Sequence, residues 1–438
     1  MKDTKVTVIG GGLAGSEAAF YLASRGVQVT LVDMKPKKFT PAHESPNFGE
    51  LVCSNSLKSN DAFGNACGLL KQEMRLIGSL TMEAAEHSRV PAGSALAVDR
   101  EKFSAYITEK LKGLETLTVV EEEVEKLPEP QEGSNEFVIV ATGPLTTGKL
   151  FQDIFEKTGK QLHFYDASAP IVSADSIDME KAFVGDRYGN GVGDYLNAPM
   201  DKETYYAFVQ ELLSAEKALL HEFEKGEIFE GCMPIEVMAS RGADTLRYGT
   251  LKPIGLGDRQ NPPYAVVQMR KENEHGEAYN LVGFQTNLKF PEQKRVFSMI
   301  PALKNAEFLR YGVMHRNTYI HAPSVLNSDF TFKNNKNLLF AGQITGVEGY
   351  VESAASGLLA AMHLFDRIVG NAEKKLTDFT VCGALEKHVS TENADFQPMN
   401  ANFGIVQPLT VRIKNKKDRY RALAERALEE MRKVLSAN

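Results

Sequence analysis

Two cysteines sit among residues that could make a thiol reactive. Phe48-Gly49-Glu50-Leu51-Val52-Cys53-Ser54-Asn55-Ser56-Leu57-Lys58-Ser59 surrounds Cys53 with hydrogen-bonding groups. Gly231-Cys232-Met233-Pro234-Ile235-Glu236 puts Cys232 in a turn, with an acid four residues on and Arg241, Arg247 and Lys252 following. A thiol near cations ionises more readily, and the thiolate is the form a nucleophile needs. Against this, a lone cysteine is most often a small buried hydrophobe. Cys67 and Cys382 are read that way; for Cys53 and Cys232 residue type leaves both readings open. The four cysteines lie far apart with no C-x-x-C pair, which argues against a zinc site, a disulfide framework and a dithiol redox motif. No metal is expected, and free thiols suit a cytoplasmic protein.

The second chemical signal is Gly10-Gly11-Gly12-Leu13-Ala14-Gly15, which fits G-x-G-x-x-G. A bare match is weak, and a glycine-rich turn without ligand is its bland reading. Here a β-branched apolar run precedes it, a helical pattern follows, and Asp33 ends the next apolar run, a context that specifies dinucleotide binding. Gly10 allows the tight turn, Gly12 lets the backbone approach a pyrophosphate, and Gly15 lets helix and strand pack closely. The helix start points unpaired N–H groups at the phosphates, and Asp33 can accept from ribose hydroxyls. FAD is favoured over NAD by later segments that resemble those of the two-segment FAD proteins. Ala141-Thr142-Gly143 ends a strand with bare backbone. Gly342-Gln343-Ile344-Thr345-Gly346-Val347-Glu348-Gly349-Tyr350 leads into a helix, and Val98-Asp99-Arg100-Glu101-Lys102-Phe103 is a third such segment. On this reading Gly10 to Gly15, Asp33, Arg100, Gly143, Gly342 and Gly349 serve the cofactor.

These residues need a frame. Val6 to Ile9, Val27 to Val32, Phe137 to Val140 and Asn337 to Gly342 read as buried parallel strands. Ser16 to Ser24 and Val351 to Ile368 read as helices, the first stopped by Gly26. The middle of the chain changes character: Lys202 to Lys225 is helical and charged, and mixed strands with many turn residues follow. The predicted fold class is α/β, a Rossmann-type two-segment FAD-binding domain with an inserted α+β domain. Residues 1–200 form its first segment, 201–304 the insert and 305–438 the second segment, a usual domain size for the insert. Arg419 to Leu435 reads as a closing amphipathic helix.

Bulk properties restrict the rest. The chain has 438 residues, 43% of them hydrophobic, enough for two or three domains. No apolar run reaches the roughly 18 residues a membrane span needs, and the N-terminus leads into the glycine cluster rather than a signal-peptide cleavage site. The formal net charge is −7, so any RNA site must be a local basic patch.

The N-terminal glycine fingerprint, the Cys53 segment, Glu230-Gly231-Cys232-Met233-Pro234-Ile235-Glu236 and Ala341-Gly342-Gln343-Ile344-Thr345-Gly346, in this order and at this length, resemble the folate- and FAD-dependent tRNA (uracil-5-)-methyltransferase family, TrmFO. The likeness covers essentially the whole chain; the two cysteine segments are specific to that family, the glycine motifs are not. The resemblance implies methylation of carbon 5 of the T-loop uridine in tRNA, with carbon from 5,10-methylenetetrahydrofolate and electrons from FAD reduced by NAD(P)H. It further implies that Cys232 attacks carbon 6 of uracil and that Cys53 removes the carbon-5 proton. Candidate RNA contacts are Lys35, Lys37 and Lys38, and the run Arg412, Lys414, Lys416, Lys417, Arg419 and Arg421; a solvated face is the plain reading of each. Tyr264, Phe284 and Tyr350 offer rings for stacking on a base or on folate.

Four rivals remain at this level. The related wobble-uridine family shares the fold but carries a longer helical C-terminal region, whereas this chain ends at Asn438. The same chemistry on a ribosomal RNA uridine is a second. A general FAD/NAD(P)H oxidoreductase of small molecules is a third, and a non-catalytic flavin-dependent RNA-binding protein a fourth, opposed by cysteines at both family positions.

Overall fold

The structure, a computed structural model, describes residues 3–436 except 147, 160, 188–192, 219–232, 259 and 373. The first sheet begins with β1 (Lys5–Ile9), which leads through the glycine turn into α1 (Leu13–Ala23) and back along β2 (Gln28–Asp33). β1 lies between β2 and Glu136–Val140, parallel to both. Asn335–Phe340 and Leu117–Glu121 extend the parallel array on either side, and Thr331–Phe332 closes one edge antiparallel. Val6, Val8, Leu31, Ile139, Val140, Leu339 and Phe340 are all buried. Continuous apolar runs of this kind suit strands covered on both faces. Each such side chain contributes roughly 1.5–3 kcal/mol through burial.

The two-segment prediction holds at this level: both ends of the chain supply the parallel sheet. Observed elements differ from the sequence reading only at their ends. α1 starts at Leu13 rather than Ser16, and the later long helix is Tyr350–Val369. The last helix is Lys416–Ser436. The charged helix beginning at Lys202 stops at Ser214; Lys225, its expected end, lies outside the described residues.

A second, mainly antiparallel sheet has its own apolar core. Its strand order is Phe183–Val184, Tyr195–Met200, Ala265–Lys271, Ala278–Leu281, Ile171–Ser173, Phe308–Arg310. Three of these strands precede residue 201, the expected start of the insert, and one follows 304. These short strands carry no strong periodicity, so the sequence reading met the change of character only at the Lys202 helix. An antiparallel ribbon of Gln161–Ala167 and Met314–Ile320 joins the two bodies.

Buried carboxylates fix helix starts in the first body. Glu17 of α1 accepts from the hydroxyl of Ser79 and from the N–H groups of Leu80 (3.1 Å) and Thr81 (2.7 Å). Glu73 accepts from the N–H groups of Val381 (3.0 Å) and Cys382 (2.8 Å). Each meets the positive end of a helix, where an anion is favoured. Burial pushes both carboxyl groups up, Glu73 to about 7.

Candidate functional site

A cavity opens at the carboxyl ends of the parallel strands, where ligands of such sheets bind. Gly10, Gly12, Leu13 and Ala14 line it from the turn, Asp33 and Lys35 from the end of β2, Thr142 and Gly143 from the next strand. Gly342, Gln343, Tyr350 and Ser353 close it from the second segment. The sequence reading missed Thr40, His43, Glu122 and Glu123, which also line it from irregular segments with no motif; Glu50 of the Cys53 segment lines it too.

The turn is built for close approach. A Cβ on Gly15 would lie 1.8 Å from the Gly10 carbonyl oxygen, so only glycine lets α1 pack this near the end of β1. A Cβ on Gly12 would meet no atom within 4 Å; it would project into open space. Asp33 holds the turn rather than standing free: its Oδ2 accepts from the Gly11 N–H at 2.5 Å and its Oδ1 from the Lys35 N–H at 2.8 Å. A carboxylate retains further lone pairs, so a ribose hydroxyl can still donate to it.

The helix starts at the cavity lack side-chain caps, as does Phe290–Phe297 elsewhere. Five longer helices elsewhere are capped by side chains of Asn65, Ser79, Asp99, Asp201 and Thr380. The two helices that start at the cavity are not: α1 begins at Gly12 and Tyr350–Val369 at Gly349, neither with a side-chain cap. The first N–H groups of a helix need an acceptor, and an anionic ligand supplies it. The arrangement fits FAD: the start of α1 would take the pyrophosphate, and the start of Tyr350–Val369 would face the flavin ring.

Cys53 lies at the junction of this cavity with the second body. The Tyr350 hydroxyl oxygen accepts the N–H groups of Cys53 (2.6 Å) and Ser54 (3.1 Å), tying the cysteine segment to the helix start. On its other side, buried Asn55 donates to the Lys271 carbonyl (2.9 Å), and Arg270 donates to Asn55 Oδ1 (2.8 Å) and Ser54 Oγ (3.0 Å). The thiol rests 3.8 Å from the Ala167 carbonyl. Burial, reinforced by the Asp166 and Glu348 carboxylates, pushes it well above the usual thiol range, against Arg100 and Arg310. Glu348 is itself pushed up to about 8 by burial and by Asp166.

Arg100 is not in the cavity lining. Its Nε pairs with Glu272 at 2.7 Å and its Nη1 donates to the Leu51 carbonyl at 2.9 Å, so it clamps the cysteine segment to the second body. Gly349 supports the site as the residue before Tyr350. Cys232, with Glu230 and Gly231, lies outside the described residues. Beyond it, Glu236 is buried and accepts from Thr286 Oγ1 (2.9 Å) and the Asn287 N–H (2.8 Å). Arg247 stacks over Tyr264 at 4.1 Å and donates to its carbonyl.

Two expectations need correction. Phe284 cannot stack on a ligand: it is fully buried in the second core, edge-on to Phe297 at 5.2 Å. Lys35 is not part of a basic surface: it is buried and donates to the Ser45 and Asn47 carbonyls. Its neighbours are also engaged, Lys38 with Glu123 and Lys37 with the Glu121 carbonyl. Nothing in the tetrapeptide Lys35-Pro36-Lys37-Lys38 distinguishes an inward lysine from an outward one.

Tyr350→Phe tests the tie between helix and cysteine. It removes the acceptor of two N–H groups, at about 1–3 kcal/mol for each one left unsatisfied. Because the helix start is unchanged, flavin content should stay at the wild-type level while turnover falls on the order of tenfold or more. Equal loss of flavin and activity would show that Tyr350 serves the cofactor instead.

Fold and site together define a dinucleotide-binding flavoprotein of the glucose inhibited division protein A class. The sequence profile of that family matches residues 5–372. Two crystal forms of Aquifex aeolicus GidA share the fold, with TM-scores of 0.66 and 0.68, 17% and 18% identity, and coverage of 99% of this chain against 75% and 78% of theirs. Within that class, the chain is 52% identical over 430 residues to a protein of Fusobacterium nucleatum and 53% identical over 435 residues to one of Acetivibrio thermocellus, covering 98% of each chain in both cases. Both are named methylenetetrahydrofolate–tRNA-(uracil-5-)-methyltransferase TrmFO. The chain belongs to the TrmFO family.

Proposed function

We propose that this protein methylates carbon 5 of the T-loop uridine in tRNA, taking the carbon from 5,10-methylenetetrahydrofolate. The observation that carries the reading is identity of 52–53% over nearly the whole length to TrmFO proteins. The uncapped helix starts at the cavity support it, because each leaves N–H groups that an anionic dinucleotide would satisfy. When bound and reduced, with NAD(P)H as the electron source, FAD supplies the hydride that turns a methylene into a methyl group.

The chain's own residues do the rest. Uracil carbon 5 is a poor nucleophile until a thiolate adds at carbon 6, the role of Cys232. Carbon 5 then attacks the methylene carbon, whose bond to folate nitrogen breaks. Cys53 takes the carbon-5 proton, and loss of the Cys232 sulfur from carbon 6 restores the ring. Tyr350, Asn55 and Arg100 position Cys53 through the contacts above. Among the described residues no group of three or more potential ligands could hold a metal, and no helix is long and apolar enough to cross a membrane. Free Cys53, Cys67 and Cys382 suit a reducing cytoplasm.

The chemistry predicts the donor. S-adenosylmethionine delivers a finished methyl group and needs no reductant; methylenetetrahydrofolate delivers carbon at the formaldehyde level and needs a hydride. Unmodified tRNA should therefore be methylated with methylenetetrahydrofolate and NAD(P)H and remain unmodified with S-adenosylmethionine alone. Activity with S-adenosylmethionine and oxidised flavin would overturn the reading. Methylation of ribosomal RNA but not tRNA would shift the substrate to the rival RNA.

A further inference from the structure

Several exposed lysines on this acidic chain have an acidic partner: Lys102 pairs with Glu274, Lys149 with Glu125, Lys289 with Glu216 and Lys387 with Asp378. The start of the last helix is different. Residues 412–421 hold Arg412, Lys414, Lys416, Lys417, Arg419 and Arg421 against a single acid, Asp418. None of these cations forms an ion pair among the described residues, and all but the half-buried Arg419 are exposed.

Their arrangement is unfavourable for the helix itself. Lys416, Lys417 and Arg419 outnumber Asp418 in the first turn of Lys416–Ser436, where the helix dipole favours acids, whereas the last turn carries Lys433 as the dipole favours. The conflict is confined to the helix start, and a local conflict of this kind is expected at a functional surface.

The cluster is also fastened to the candidate site. Phe403 stacks on Tyr420 with ring centroids 4.3 Å apart, while Lys416 and Arg419 lie over the Tyr420 ring at 5.3 and 5.7 Å. Four residues upstream, Met399 exchanges backbone hydrogen bonds with the flavin-side loop: Met399 N–H donates to the Gly346 carbonyl and Glu348 N–H to the Met399 carbonyl. Ala401 N–H donates to buried Glu352 at 2.9 Å. Four residues span at most about 14 Å, so the cations stand close to the loop that precedes Tyr350.

We propose that this basic helix start is a docking surface for the phosphate backbone of the RNA substrate. The inference rests on the RNA reading above and supplies the local positive field that the overall charge of −7 withholds. Exposed cations without ion pairs suit a sequence-independent backbone contact, which positions the substrate without reading bases.

The test uses full-length, FAD-loaded protein and unmodified tRNA, with Kd measured by fluorescence anisotropy across a salt series. Lys414→Gln, Lys416→Gln, Lys417→Gln and Arg421→Gln are combined in one variant; flavin content and melting temperature report folding. Kd should rise at least tenfold at low salt. The slope of log K against log salt should become shallower by up to about 3.6, at about 0.7–0.9 per lost contact. A Lys→Arg variant at 414, 416 and 417 should bind as the wild type does. Wild-type affinity and slope in a folded Gln variant would overturn the proposal, whether or not the patch then bound a protein. Failure of the wild-type protein to bind RNA would instead overturn the RNA reading.

Discussion

Gly12→Val is expected to yield a folded but colourless protein. The backbone at Gly12 has φ −71°, which any residue adopts, and an added Cβ meets no protein atom within 4 Å. The apo fold therefore bears almost no steric cost. The side chain instead fills the space through which a pyrophosphate reaches the first N–H groups of α1. Flavin retention should fall on the order of a hundredfold or more, equivalent to about 2.7 kcal/mol of binding. Gly15→Val is the contrast: its Cβ would collide with the Gly10 carbonyl, so it should lower the melting temperature and yield. Flavin absorbance per protein and circular dichroism separate the two outcomes. The flavin released from denatured wild-type protein should be FAD, because FMN has no adenosine ribose for Asp33 to hold. A yellow, folded Gly12→Val protein would remove the pyrophosphate from this turn.

The glycine turn was legible because it is a local device. Each glycine has a reason that depends on neighbours within a few residues, or on one strand packed against them. The parallel strands were legible for the same reason, as continuous apolar runs. The junction holding Cys53 was not. Buried Asn55, Arg270 and Glu272 and half-buried Arg100 are polar groups drawn from segments about 170 to 220 residues apart, and nothing local distinguishes them from surface residues. Arg100 shows the consequence: its segment belongs to the flavin domain, yet its guanidinium serves Glu272 and Leu51. The insert's limits were hidden similarly, because Ile171–Ser173 and Phe308–Arg310 find their partners only across the second sheet.

The second large effect concerns the two cysteines. With tRNA containing 5-fluorouridine, wild-type protein should form a stable covalent complex, since fluorine cannot leave carbon 5 as a proton does. Cys232→Ala should lose that complex entirely. Cys53→Ala should keep it and yet lose methylation by about 10²–10⁴-fold, the usual contribution of a positioned base. One group cannot readily fill both roles, because the thiolate on carbon 6 is committed to the adduct when the carbon-5 proton must leave. In the free protein, burial and the Asp166 and Glu348 side chains push the Cys53 thiol well above its usual range, so it must lose its own proton before it can act as the base. Gel mobility of the RNA–protein complex, read beside methylation of ordinary tRNA, gives both quantities. A complex lost in Cys53→Ala and kept in Cys232→Ala would exchange the two assignments.

The central claim is that the carbon comes from folate while the hydride does not. The direct measurement supplies methylenetetrahydrofolate labelled in its methylene carbon to the FAD-loaded protein with NAD(P)H and unmodified tRNA, then identifies both products. The label should appear as 5-methyluridine in the T loop, and the folate should be released as tetrahydrofolate, because its ring gives up no hydride. Unlabelled RNA, or dihydrofolate formed in step with 5-methyluridine, would contradict it.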